Sequence, residues 1–452
     1  MNHEPRANQE LCFQTVVRSL PGKRTSGFAR WNQQEVFAKR FGGSRARIHW
    51  QREERGLRAL HKENIAAPRI LYSGQLEDGY VLITERLAPA KTAEELWGKA
   101  ADDVGRAELL RGLAMLVAKH HNAGLRQTDL HLNNFLFANG KIYTLDGAGI
   151  VTGKVSKRAA LDSLALLLAQ APFRFDAFAD TAYADYASSR GWKTRQDDLE
   201  RLQERIVAMR VRREKEYLSK IFRECSAFRF EKTFSGAIAW DRSYDSPSLR
   251  QLLANPDAAF SGELLKKGNT STVAKIAIDS HDLVVKRYNI KSFWHGMNRA
   301  WRRTRAEHSW KSAHRLQFHG VATAKPVALV VNTIGPLRRT SYFIAEYVNG
   351  PSIRDFFLAA SMQEKDAVIE KIADVLLALK SLKLSHGDLK AGNIVIRNGE
   401  AVLLDLDALR KHRGESSLKR ALKRDTERLL ANWQPESEIY KAFERKLRDL
   451  LK

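Results

Sequence analysis

Cysteine is nearly absent: the 452 residues contain only Cys12 and Cys225. That excludes a disulfide framework and a thiolate metal cluster, and it fits a reducing, cytosolic compartment. Long apolar runs are missing as well. The longest, between Leu161 and Ala169, is interrupted by Asp162 and Ser163. It falls short of the ~20 apolar residues that span a bilayer. The first ten residues, MNHEPRANQE, hold no apolar core of the kind a secretory signal needs. The expectation is a protein that is soluble or peripheral to a membrane. Acidic residues are also in short supply, 52 against 76 Lys and Arg, which leaves a formal charge of +24. Solubility alone does not require so large an excess of one sign, so a polyanionic partner is expected. Basic stretches lie at Arg210–Arg213, Arg302–Arg305 and Arg410–Arg424. Each taken alone reads more simply as a solvated helix face.

What the chain does contain is an internal repeat. QTDLHLNNFLFANGKIYTLDGAGI starts at Gln127, and HGDLKAGNIVIRNGEAVLLDLDAL starts at His386. Both run D-L-x-x-x-N, an apolar strand, an Asn-Gly turn, and a second apolar strand that ends in Asp. Asp129/Asp388, Asn134/Asn393 and Asp146/Asp405 are each offset by 259 residues, with no gap. Asn139-Gly140 and Asn398-Gly399 between alternating apolar runs predict two tight hairpins. Upstream, each copy has a strand carrying a lysine (VFAKRF with Lys39, LVVKRY with Lys286). A helical stretch follows in each, around Glu53 or Glu307, and then a strand ending near Glu85 or Glu346. The copies are expected to divide near residue 222, giving domains 1–222 and 223–452. Thr194–Arg223 is expected to be helical, with Leu199, Leu202, Ile206 and Met209 on its apolar face, and Ser235–Pro256 is expected to be an irregular lead-in.

The repeated set matches the few parts that phosphoryl transfer from ATP requires: a cation on the phosphates, oxygen ligands for magnesium, and a carboxylate for the proton of the attacking hydroxyl. Asp129 and Asp388 are the candidate bases. Asn134 with Asp146, and Asn393 with Asp405, are the candidate magnesium ligands. Lys39 and Lys286 would contact the phosphates, each steadied by an acid on the next helix. In the second copy, Glu307 is the only acid between Lys286 and the following strand. In the first, Glu53 and Glu54 compete, and the spacing back from Pro68 through Leu60 and Leu57 favours Glu53. Glu85 and Glu346 would close the nucleotide cleft at the hinge strand. Taken alone, each element has a bland reading as a turn former or a solvated lysine. The ordered set, occurring twice, does not.

These residues resemble the protein-kinase superfamily. The closest fit is to the lipopolysaccharide core kinases, which phosphorylate Kdo and heptose sugars. The resemblance rests on EERGLRALHKENIAAPRIL from Glu53 and TDLHLNNFLF from Thr128 in the first copy. In the second it rests on AEHSWKSAHRLQFHGVATAKPVAL from Ala306, EYVNG from Glu346, and HGDLKAGNIV. It implies an α+β architecture of two tandem kinase-like domains, each with a small β-rich N-lobe and a larger helical C-lobe. It also implies ATP and Mg2+ as cofactors. The implied substrate is an anionic glycolipid, a lipopolysaccharide core precursor, phosphorylated at the cytoplasmic face of the inner membrane, with anionic headgroups as a second partner. The basic cluster after Asp405 (Arg410, Lys411, Arg413, Lys419, Arg420, Lys423, Arg424) would meet that acceptor. There are departures from the superfamily pattern. No G-x-G-x-x-G precedes either lysine; Gly27 and Gly268 are the nearest glycines upstream of them. Gln127 stands where His is usual, and no A-P-E follows, which argues against a regulated protein kinase. A small-molecule or protein kinase of the same fold and a pseudokinase scaffold are the competing readings. Nucleic acid is not expected, because no binding module accompanies the charge.

Overall fold

The computed structural model describes residues 11–20, 22–76, 79–289, 304–334 and 337–451. It divides into two compact units, residues 1–211 and 212–452. The division falls inside the helix Gln196–Lys220, ahead of residue 222. Each unit is α+β, a twisted antiparallel sheet followed by a helical lobe.

In unit 1 the strands Leu11–Leu20, Arg24–Trp31, Gln34–Phe41, Ile70–Leu76 and Gly79–Glu85 pair in the order 1-2-3-5-4. Alternation puts Val36, Ala38, Val81 and Ile83 on one buried face of this sheet. The helix Ala46–Lys62 crosses from the third strand to the fourth and buries Glu53, Gly56, Leu57 and Leu60. The helical lobe packs Asp103–Asn122 against Lys157–Leu168 and Ala179–Ser189, with Leu113, Val117, Leu164, Tyr183 and Tyr186 at its core. Side-chain caps start the helices: Asp102 Oδ1 accepts from Gly105 N at 2.8 Å, and Thr92 forms a capping box with Glu95.

The main sheet of unit 2 has seven strands, Phe228–Thr233, Gly236–Asp241, Glu263–Lys267, Ser271–Ile278, His281–Tyr288, Pro326–Ile334 and Leu337–Glu346. They are ordered 1-2-6-7-5-4-3 along the sheet. Its helical lobe is formed by Ile353–Ala359, Met362–Ser381, Glu415–Leu430 and Glu438–Leu451. The expected irregular lead-in, Ser235–Pro256, is instead a strand and a helix, Pro247–Ala254. Its Gly, Ser, Pro and Asp residues are the boundary chemistry of those regular elements. Ser246 caps Leu249 N, Pro247 occupies the first turn, and Asp241 caps Ser243 N.

Both hairpins form where the Asn-Gly pairs stand. Asn139 and Gly140 have φ of 49° and 69°, and Asn398 and Gly399 have 52° and 76°, as tight two-residue turns require. The lobes are stitched at equivalent points. Thr144 N donates to Ala66 O and Leu403 N to Ala322 O, while Leu145 N donates to Asn134 O and Leu404 N to Asn393 O, all at 2.9 Å.

Three histidines are buried and neutral. Burial pushes His120 down to about 4 and His121 and His314 down to about 3. Each shares one hydrogen bond, with Thr144, Tyr186 and Tyr217 respectively, and its second ring nitrogen has no hydrogen-bond partner. Their folded pKa values lie below the unfolded value near 6.5. The unfolded chain therefore binds more protons as pH drops through 6.5, and stability falls, by about 2 kcal/mol per histidine at pH 5. Chemical denaturation at pH 7.5 and pH 5 should show this loss, and His314→Phe should reduce it; equal midpoints at both pH values would contradict it.

Candidate active site

In unit 2 Lys286, Glu346, Asn393 and Asp405, four of the residues flagged from the sequence, come together between sheet and helical lobe. They surround a cavity of about 420 Å³, large enough for a small-molecule ligand. Val273, Val284, Phe343, Ala345 and Leu404 give it an apolar wall, and Lys286, Glu346, Lys390, Asn393, Asp405 and Asp407 a polar one. The turn between Glu263–Lys267 and Ser271–Ile278 contains Gly268, and Lys266 and Ser271 on either side of it line the cleft. At the hinge, Glu346 N donates to Lys325 O, and the Glu346 carboxylate accepts from the Tyr244 hydroxyl.

The Asp388 loop is held from behind. Asn393 Nδ2 donates to Asp388 O at 2.8 Å and to Asp388 Oδ2 at 3.2 Å. Arg428 lies 2.9 Å from Asp388 Oδ1, and Lys390 lies 3.2 Å from Oδ2. Below the loop, buried Asp425 accepts from His386 N at 2.7 Å and from Gly387 N at 2.8 Å. His386 Nε2 donates to Leu404 O at 3.0 Å, which ties the loop to the strand that leads into Asp405. Burial pushes the Asp425 carboxyl up and His386 down. Asp405 itself is left-handed, with φ 56° and ψ 65°. For a non-glycine residue this conformation is strained, by on the order of 1–3 kcal/mol, and such strain clusters at functional sites.

The expected Lys286–Glu307 pair does not form. Lys286 Nζ donates to Asp405 Oδ1 at 2.6 Å and lies 2.9 Å from Asp407 Oδ2. Glu307 is the third residue of the helix Arg305–Phe318 and closes a capping box, its Oε2 accepting from Thr304 N at 2.6 Å. Its side chain borders a different cavity, beside Phe230 and Lys232. An acid three residues beyond a threonine is a helix-start signature, and that local bond takes Glu307 out of the cleft. Asp407 also accepts from Tyr288 Oη at 2.6 Å, Ser309 Oγ at 2.7 Å and Arg305 Nη2 at 2.6 Å. Burial would raise its carboxyl, but Lys286 and the hydroxyl donors outweigh burial and hold it below the usual range.

Unit 1 keeps the lysine–glutamate arrangement. Lys39 pairs with Glu53, which is fully buried, and lies 3.9 Å from Asp146 Oδ1. Gly147 N also donates to Glu53 Oε1, at 3.2 Å. Burial raises the Glu53 carboxyl in spite of Lys39. Glu54, its rival, is half-buried and pairs with exposed Arg58 at 2.8 Å. Asn134 Nδ2 donates to Asp129 O at 2.8 Å, as in unit 2. The Asp129 carboxylate meets only His131, at 3.2 Å among the described contacts, and its side chain is 53% exposed against 32% for Asp388. The Gln127 amide is buried without a hydrogen-bond partner where His386 bonds its strand. Glu85 binds the backbone of Arg69 at 2.9 Å, at the hinge. Gly27 lies inside the second strand, close against Thr15, and the turn that corresponds to the Gly268 turn carries Gly22 instead.

Asp407, Asp425, Arg428, Tyr288 and Ser309 were not singled out from the sequence. The second acid of LDLD was the one available signal. Of the basic stretches, Arg210 is buried on Asp176 at 2.6 Å, and Lys411 pairs with Glu214 at 3.0 Å. Arg302 and Arg303 lie outside the described residues, while Arg305 serves Asp407. Arg413, Lys419, Arg420, Lys423 and Arg424 are exposed.

The residues present suit a magnesium nucleotide. In unit 1, Asp146 Oδ1 and Glu53 Oε2 are buried oxygens without a hydrogen-bond partner. In unit 2, Asn393 spends its amide donor on Asp388, which leaves its side-chain carbonyl beside Asp405. One Asp and one Asn carbonyl make a hard oxygen set of the kind magnesium takes together with substrate phosphates.

No curated protein matches the chain. Among solved structures it is similar to "WaaP in complex with acyl carrier protein", at 19% identity and a TM-score of 0.34, over 46% of this chain and 90% of that one. A family model, "Lipopolysaccharide kinase (Kdo/WaaP) family", matches residues 24–148 and 257–445. One segment carries Lys39 to Asp146 and the other Lys286 to Asp405, and together they make up well over half of the sequence. The chain therefore belongs to the lipopolysaccharide kinase (Kdo/WaaP) family, a family of kinase phosphotransferases.

Proposed function

We propose that unit 2 transfers the γ-phosphoryl group of ATP to a sugar hydroxyl, on heptose or Kdo, of a lipopolysaccharide inner-core precursor at the cytoplasmic face of the inner membrane. The observation that carries this reading is the grouping of Lys286, Asn393 and Asp405 around one cleft, with Asp388 hydrogen-bonded to Asn393. In this reading the adenine lies against Val284, Phe343 and Leu404, and Lys286 contacts the phosphates. Asn393 and Asp405 offer oxygen ligands to magnesium, which when bound neutralises charge on the transferring group. Asp388 accepts the proton of the acceptor hydroxyl as its oxygen bonds to the γ-phosphorus and the bond to the β-phosphate oxygen breaks, releasing ADP.

The charge of the chain supports an anionic acceptor. Lys390 and Arg428 flank Asp388, and the same helix as Arg428 exposes Arg420, Lys423 and Arg424. Basic groups near an anionic membrane contribute roughly 1 kcal/mol each. Among the described residues no helix is long and apolar enough to cross a membrane, and the proposed association is peripheral. Mass spectrometry of core oligosaccharide from cells lacking the protein should show one phosphate fewer, restored by the unaltered gene. An unchanged phosphate count would reject core phosphorylation, and restoration by an Asp388→Ala gene would point to a scaffold.

A further inference from the structure

Besides the hairpin aspartate, each unit places a second carboxylate beside the lysine, but the two units take it from different parts of the chain. The lobe-stitching bonds fix the register. Ala66 and Ala322 accept equivalent bonds, an offset of 256 residues, and the same offset sets Ser309 where unit 1 has Glu53. Serine is too short and carries no charge to pair with lysine. The position two beyond the hairpin aspartate differs in the opposite sense, Ala148 in unit 1 and Asp407 in unit 2. Where the helix lost its acid, the loop gained one.

We propose that Asp407 is the positioning carboxylate for Lys286, in place of a helix glutamate, so that unit 2 sets its phosphate-contacting lysine from the same segment that carries Asp405. The geometry is complete. Asp407 Oδ2 lies 2.9 Å from Lys286 Nζ, and Arg305 binds the same oxygen at 2.6 Å. Its other oxygen is held by Tyr288 and Ser309, at 2.6 and 2.7 Å. Tyr288 lies two residues beyond Lys286 on one strand, so strand, helix and loop all fix one carboxylate. Mechanistically, unit 1 depends on its helix approaching the sheet to supply Glu53. Unit 2 keeps its lysine ion pair between strand and loop, and the helix supplies no acid to the lysine but holds Asp407 through Arg305 and Ser309. Its lysine is therefore set before nucleotide arrives and does not wait on helix movement.

The inference rests on the phosphotransfer reading, and the test separates the two. Binding of trinitrophenyl-ATP to the full chain, with KM for ATP and kcat, is measured for the unaltered protein, Asp407→Asn, Asp407→Ala and Ser309→Glu/Asp407→Ala. A Lys39→Met background silences the unit 1 site in all four. Asp407→Asn should weaken analogue binding and raise KM for ATP about tenfold or more in protein that is still folded at assay temperature. Ser309→Glu should restore most of what Asp407→Ala loses, a rescue that a purely structural role would not give. Binding within twofold of the parent in Asp407→Asn overturns the inference. So does a folded double variant that stays as weak as Asp407→Ala. If Asp407→Asn melts below assay temperature, Asp407→Glu decides instead: retained analogue affinity supports the role and a tenfold loss overturns it. Failure of the Lys39→Met parent itself to bind the analogue sinks the unit 2 phosphotransfer reading, and the inference with it.

Discussion

Asp388→Ala should lower the rate of core phosphorylation about a thousandfold, whereas Asp129→Ala should change it less than tenfold. A positioned base contributes on the order of 10²- to 10⁴-fold, and the two aspartates are not equally positioned. Asp388 is fixed by Asn393 and Arg428, on a loop whose backbone is clamped by buried Asp425. Its loop is tied to Asp405 through His386 and Leu404. Asp129 has the Asn134 bond to its carbonyl, but its carboxylate faces solvent beside His131. Beneath it, Gln127 makes none of the bonds that His386 makes. Asp146 lacks the left-handed backbone of Asp405, with φ −104°. Asp388→Asn is the sharper variant, because it keeps the shape and the Asn393 contact while removing the basicity. Single-turnover rates with saturating ATP and purified core acceptor would measure both effects. Equal losses from the two alanine variants would assign chemistry to both units, and no loss from Asp388→Asn would remove the base from the mechanism.

Much of this site was legible because its chemistry is local in sequence. The Asp/Asn spacing of five and the Asn-Gly hairpins set their own geometry, and a tight hairpin admits one register. Glu53 was separable from Glu54 because Leu57 and Leu60 define the buried stripe of their helix, and Glu53 shares that face. Glu307 is the one acid of the helix Arg305–Phe318, yet it is not the partner of Lys286. The carboxylate that reaches Lys286 comes from beyond the hairpin, and no local period announces a contact between a strand and a loop so distant in sequence. Thr304 did announce the true role of Glu307, as a capping box. Asp425 was hidden in a basic stretch, SSLKRALKRDTERLL, where it reads as one more charge on a solvated helix. Only the fold shows that it faces inward, with Leu418, Leu422 and Leu429. The lysines and arginines of the same stretch are exposed.

Gly56→Ala should unfold or severely loosen unit 1, although alanine in a helix interior normally gains about 1 kcal/mol over glycine. The helix Ala46–Lys62 passes so close to the segment after Asp146 that a Cβ on Gly56 would lie 1.8 Å from Gly147 O. The approach is mutual, since a Cβ on Gly147 would lie 2.2 Å from Glu53 O and 2.8 Å from Leu57 N. Both obstacles are backbone, so no side-chain rotation relieves them. The helix must move outward, drawing Glu53 away from Lys39 and Gly147. An expected loss of about 3 kcal/mol follows from overpacking a close contact, and the separation would leave the fully buried Glu53 charge without its lysine. Unit 2 supplies the control. By the same register its helix has Ser312 in place of Gly56, and Leu406 stands in place of Gly147, so side chains already fill that gap. Ser312→Ala should cost less than about 1 kcal/mol. Calorimetry of the two variants beside the parent reads the difference directly. A Gly56→Ala protein that melts with the parent would show that helix and loop are not in backbone contact, and that Glu53 reaches Lys39 by some looser arrangement.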